Sequence, residues 1–134
     1  MSEKLCSLKK YGGGISSINI PYIKGEHGLY SSTMGWGYTN VRISCEDYST
    51  LKIESFTRTY GQYYYPEEAK IYGIKSGSAD VTLFSYAQTG TSAYSASNLQ
   101  YDISSYDAIE FYIKASANAN STNGVITFSN ITIE

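Results

Sequence analysis

The stretch Tyr106-Asp-Ala-Ile-Glu-Phe-Tyr-Ile-Lys-Ala115 decides the fold class. Ile109, Phe111 and Ile113 alternate with Glu110, Tyr112 and Lys114. A period of two points one set of side chains at a core and the other at water, which is the signature of a half-buried strand. Tyrosine suits the wet side of such a strand, since its ring covers apolar surface while its hydroxyl stays solvated.

Working outward, the same alternation recurs along the chain. It appears at Ile18, Ile20 and Tyr22, and at Val41, Ile43 and Cys45 with Arg42 and Ser44 facing out. Leu51, Ile53 and Ser55 alternate with Lys52 and Glu54. Ile71 to Lys75 reads as a short strand in which Gly73 marks a bulge or a close backbone approach. Val81 to Tyr86 and Leu99, Tyr101 and Ile103 supply two more. The final stretch, Val125 to Ile133, contains a parity slip: Ile126 and Phe128 share one face, Ile131 and Ile133 the other. A one-residue bulge near Ser129–Asn130 is the expected device for turning all four inward.

The gaps read as turns. They comprise the long Lys24–Gly37 loop, the Gly61–Lys70 segment with Pro66, the Ser-Gly-Ser turn at Gly77, Thr89–Asn98 and Ala115–Asn123. Pro66-Glu67-Glu68-Ala69 is predicted to form one helical turn, with proline first and acids following. No stretch holds a 3.6-residue apolar period. About eight short strands at near-regular spacing predict an all-β, single antiparallel β-sandwich of jelly-roll type over residues 15–134. Residues 1–14, with three consecutive glycines, are expected to be a flexible lead-in.

Composition limits the function. The chain has 134 residues, 42% hydrophobic, and only 16% charged where about 25% is usual. Its length suits one domain with its own core. The net charge of −2 leaves no basic stripe beyond Lys4, Lys9 and Lys10, which argues against nucleic-acid binding. No apolar run approaches the ~20 residues of a membrane span, and the N-terminal sequence has no secretory h-region. Cys6 and Cys45 either pair or remain two reduced thiols, the second being expected without a secretory signal. The lone histidine, His27, lies in a Gly-flanked loop without a nucleophile motif. With no Cys/His constellation and no calcium-loop motif, no metal or other cofactor is expected. Glu67 and Glu68 are sequence neighbours, so in a strand they point to opposite faces and cannot form a glycosidase pair. Asp102 and Asp107 read as turn residues.

The segments Ser49-Thr-Leu-Lys-Ile53, Ile103-Ser-Ser-Tyr-Asp-Ala-Ile-Glu-Phe-Tyr-Ile113 and Val125-Ile-Thr-Phe-Ser-Asn-Ile-Thr-Ile133 resemble galactose-binding-like or carbohydrate-binding jelly rolls. Similar small domains occur in phage and prophage tail or virion proteins. The resemblance covers residues 38–134. It implies a non-enzymatic module that adheres to a surface, and it carries over no binding residue.

Fifteen tyrosines and a single tryptophan supply the binding chemistry. Trp36 sits between glycines in Met34-Gly-Trp-Gly-Tyr38, and Tyr60, Tyr63, Tyr64 and Tyr65 crowd one segment. Flat rings match the apolar C–H faces of sugars. The candidate platform is Trp36, Tyr38, Tyr60, Tyr63, Tyr64 and Tyr65, with Arg58, Gln62 and Glu67 as hydrogen-bonding neighbours. The same rings also fit core packing or a subunit contact, where Tyr and Trp are enriched. The reading adopted is a non-catalytic module on the surface of a phage particle, made in the host cytoplasm. Its expected partners are cell-surface glycan, virion or tail proteins, or its own copies. The alternative is a purely structural virion protein with its aromatic surface buried between subunits.

Overall fold

A computed structural model describes residues 16–26, 35–59, 67–88, 92–117 and 125–134. These form eight strands: β1 (Ile18–Glu26), β2 (Gly35–Ser44), β3 (Thr50–Arg58), β4 (Glu67–Ile74), β5 (Val81–Gln88), β6 (Tyr94–Asp102), β7 (Ala108–Ala117) and β8 (Val125–Ile133). They lie in two antiparallel four-stranded sheets, ordered β1-β8-β3-β6 and β2-β7-β4-β5. That order is the double Greek key of a jelly roll. The all-β sandwich expected from the alternating pattern is therefore the fold.

Several boundaries move. The loop expected from Lys24 to Gly37 is shortened at both ends, because β1 continues to Glu26 and β2 begins at Gly35. The polar run before Asn98 enters β6 at Tyr94, and β7 extends to Ala117. The helical turn expected at Pro66–Ala69 is corrected: β4 begins at Glu67, and no helix occurs among the described residues. Glu67 pairs with Gln88 and Glu68 with Lys114, so strand pairing overrides the helix-start preference of a proline followed by acids.

The core lies between the sheets. All four phenylalanines meet there, with Phe56 4.8 Å from Phe128 and 4.9 Å from Phe84, and Phe111 5.2 Å from Phe128. Their mostly edge-on geometry is the one the ring quadrupole favours. Where β1 closes over β7, the inward position is Gly25. A Cβ there would come within 2.5 Å of Ile113 Cγ2, so only glycine lets the sheets approach. Of the two alternatives for Gly73, the close approach is the one found: an added Cβ would lie 2.7 Å from the Tyr106 ring. The β4–β5 register shift falls earlier, between Ile71 and Tyr72, and its extra residue is Leu83 on β5.

The parity slip on β8 proves to be sheet-wide. Ile126, Phe128, Ile131 and Ile133 are all buried, as expected, and Asn130 at φ 54° makes the switch. However, no extra residue is inserted: the β8 register against β1 and β3 is the same on both sides. The neighbours change parity at the same level instead. Ile20–Ile131–Ile53–Leu99 is one inward row, and Ile23–Phe128–Phe56–Ala96 is the next. Between these rows each strand turns two consecutive residues outward: Pro21–Tyr22, Ser129–Asn130, Glu54–Ser55 and Ser97–Asn98. Tyr22 and Ser55, expected on the inner face, are thus outward, and Ile23 and Phe56 replace them inside. Asn98, at φ 56°, is the second left-handed residue of this seam. Asparagine tolerates that conformation far better than bulky residues do.

Candidate functional site

The outer face of β2-β7-β4-β5 carries the most aromatic surface. Tyr38, Asn40 and Arg42 alternate outward on β2 and pair with Lys114, Tyr112 and Glu110 of β7. Tyr38 is 62% exposed, and its ring lies 6.5 Å from that of Tyr112 at 39°. Polar groups held in fixed positions border these rings. Glu110 accepts from Asn40 Nδ2 (3.1 Å) and Arg42 Nε (3.0 Å), and Glu68 lies within ion-pair distance of Lys70 (3.5 Å) and Lys114 (3.7 Å). Partial burial pushes the Tyr112 phenol above its ordinary pKa, and the Glu68 charge adds to the effect. The Tyr112 hydroxyl therefore stays neutral and able to donate at physiological pH.

Trp36 lies on β2 two residues before Tyr38, opposite Ser116. Arg58 and Glu67, expected as polar neighbours of the platform, are placed elsewhere. Both side chains are fully buried between the sheets, with Arg58 Nε donating to Glu67 Oε1 at 2.5 Å and Arg58 Nη1 to the Ser92 carbonyl at 2.6 Å. The pair ties β3 of one sheet to β4 of the other, so neither residue is presented to a ligand on the outer face. Tyr86, beside them, has its phenol pushed up by burial and drawn partly back by the Arg58 charge. Tyr60, Gln62, Tyr63, Tyr64 and Tyr65 lie outside the described residues, as do Cys6, His27 and the lead-in 1–14. Cys45 is buried, its sulfur 3.5 Å from the Tyr106 carbonyl oxygen.

The acidic residues fall where the strand argument put them. Glu67 faces inward and Glu68 outward. Asp102 accepts from the Ser104 amide (2.9 Å) and hydroxyl (2.7 Å), which hold its carboxyl below the ordinary range. Asp107 accepts from the Ser76 amide at 2.8 Å. Among the described residues no three His, Cys, Asp or Glu side chains converge as a metal site, and no helix is long and apolar enough to cross a membrane.

Sequence reasoning missed Tyr112 and the Asn40–Arg42–Glu110 network as companions of Tyr38. The signal was available in the strand parity of Arg42 and Tyr112, but cross-strand register is needed to bring them together.

No family model and no curated protein matches the chain. Solved structures with a similar chain path include the enzymatically active domain of tailspike protein 4 from bacteriophage CBA120, with a TM-score of 0.46 at 10% identity over 89% of this chain and 19% of that one. A CBM4 structure aligns at 0.41 and 12% identity over 84% of this chain and 85% of that one. Infectious bursal disease virus, Gx strain, aligns at 0.39 and 12% identity over 88% and 30%. The chain thus spans about a fifth of the length of the tailspike domain.

Proposed function

We propose that the protein is a non-catalytic binding module of a phage or prophage particle, tail-associated or capsid-decorating, that adheres to cell-surface carbohydrate through exposed aromatic rings. The observation that carries this reading is Tyr38: a ring 62% exposed, beside Tyr112, within a border of anchored amide, guanidinium and carboxylate groups. A sugar covers one face of such a ring, about half of ~150 Å², worth ~2 kcal/mol at ~25 cal/mol per Å². Single sites of that strength are weak. Many copies on one particle raise avidity ~10²–10⁴-fold without new contacts. Trp36 and the Tyr60 to Tyr65 group extend the proposed platform on sequence grounds. The particle setting rests on the resemblance of the second half of the chain to domains of such proteins. Burial of Glu67 against Arg58 takes that one carboxylate away from any ligand on the outer face.

Titration with host cell-wall polysaccharide, followed by tryptophan fluorescence and by retention on the polysaccharide, tests the reading. Saturable binding that Tyr38→Ala weakens without lowering thermal stability is expected. Absence of binding by a folded, multivalent preparation overturns it. A second reading, a structural virion protein, is favoured by Val81 and Tyr94, which are 46% and 42% exposed on the edge strands β5 and β6. Light scattering after size exclusion separates the two, since a stable oligomer that buries these edges supports the structural role.

A further inference from the structure

The outer face of β1-β8-β3-β6 differs in character from the tyrosine face. Its rows are Asn19–Thr132–Lys52–Gln100, then Pro21–Asn130–Glu54–Asn98, then Tyr22–Ser129–Ser55–Ser97. The ladder pairing skips Pro21, Asn130, Glu54 and Asn98, the second of these rows. Two depressions of about 290 and 230 Å³ open there, on either side of Asn130 and Thr132, which line both. Taken together they reach the size range of small-molecule sites, about 300–1,000 Å³.

We propose that this seam is a second ligand site, and that its ligand is a neutral, hydroxyl-rich chain, an oligosaccharide segment lying across the strands. Three observations support this. First, the lining's charges argue against an anionic ligand: Lys52 Nζ lies 2.6 Å from Glu134 Oε2, which balances it, while Glu54, whose Oε1 accepts from the neutral Asn130 Nδ2 at 2.5 Å, keeps its negative charge. The seam therefore favours a neutral chain over a negatively charged one. Second, Asn19, Asn98 and Gln100 are exposed carboxamides, each with donors and an acceptor, which is the pairing a sugar hydroxyl needs. Pro21, outward and exposed, adds apolar surface for C–H faces. Third, the seam crosses four strands, about 14 Å at ~4.8 Å per strand, which suits several linked rings better than one. Tyr22, 60% exposed, stands at one end as a stacking surface. The site lies on the opposite sheet from Tyr38 and does not depend on it.

The test is an amide-resolved NMR titration with cellohexaose and maltohexaose, with hyaluronan hexasaccharide as the anionic comparison, each to about 10 mM so that a Kd of a few mM is visible. At least one neutral hexasaccharide is expected to shift Asn98, Gln100, Asn130 and Thr132. Gln100→Ala and Asn19→Ala should each weaken it by roughly three- to tenfold, the worth of one hydrogen bond, while Tyr38→Ala leaves it unchanged. Both substitutions are at exposed positions, and retention of the native spectrum confirms folding. The proposal is overturned if neither neutral hexasaccharide moves these amides, if hyaluronan binds them as well or better, or if Gln100→Ala and Asn19→Ala both bind normally. Shifts confined to the Tyr38 face would retain the platform reading and remove this one.

Discussion

Replacing Glu67 by glutamine should be among the most damaging conservative changes in the molecule. Glu67 and Arg58 are both 0% exposed at the side chain, and their contact joins the two sheets. Glu67→Gln keeps the shape but leaves a buried guanidinium without its counter-charge. Breaking a buried pair from one side costs about 3–5 kcal/mol, mostly the unpaid desolvation of the charge left behind. Arg42–Glu110 is the internal comparison: its side chains are 60% and 20% exposed, so Glu110→Gln should cost about 1 kcal/mol or less. Urea unfolding at 25 °C reads both. With about 3–5 °C per kcal/mol for a chain of this length, Glu67→Gln should also lower Tm by about 10–20 °C. The double change Arg58→Met with Glu67→Leu removes both charges and should recover most of the loss. If Glu67→Gln costs no more than Glu110→Gln, or the double change is worse than either single one, the pair is not the buried inter-sheet tie inferred from its geometry.

Other consequences are as direct. Gly73→Ala puts a methyl 2.7 Å from the Tyr106 ring and should destabilise by about 1–3 kcal/mol by thermal unfolding, with Tyr106→Ala in the same chain relieving the overlap. Asn130→Ala loses both tolerance of the left-handed backbone and the amide bond to Glu54, and should cost about 1–2 kcal/mol, whereas Asn130→Gly should cost less. The phenols of Tyr86, Tyr101 and Tyr112 are all raised, chiefly by burial. Their contribution to stability is therefore fully present below the unfolded value of about 10 and is lost as pH rises through the folded values. Denaturant midpoints should hold steady from neutral pH, then fall on the alkaline side as phenolate absorbance grows.

The architecture was legible because its strongest strands carry clean period-two signals. Ile109, Phe111 and Ile113 fall inward as read, and so do Ile126, Phe128, Ile131 and Ile133. The seam was visible in one strand of four. On β8 apolar residues flank the slip on both sides, which exposes it. On β3, Ser55 occupies the position where an inward residue was due, and its size gave no warning that Phe56 takes the core place. On β6, Ser97–Asn98 looks like loop by composition, and only pairing with Glu54–Ser55 makes it strand. Register across strands, not local propensity, sets such features. Arg58 and Glu67 show the same limit in the site. As charged residues flanking a tyrosine-rich segment they read as surface groups, yet each neutralises the other inside the sandwich. Tyr38 fell outward because its strand alternates without interruption through Asn40 and Arg42.

Carbohydrate adhesion through the tyrosine face is the central claim, and a glycan array read with wild-type protein and with the Tyr38→Ala/Tyr112→Ala variant tests it most directly. At least one retained glycan should lose signal about thirtyfold in the variant while its thermal unfolding stays near wild type, the ~2 kcal/mol worth of one covered ring. An array on which wild type retains nothing, or on which every retained glycan binds the variant equally, would contradict it.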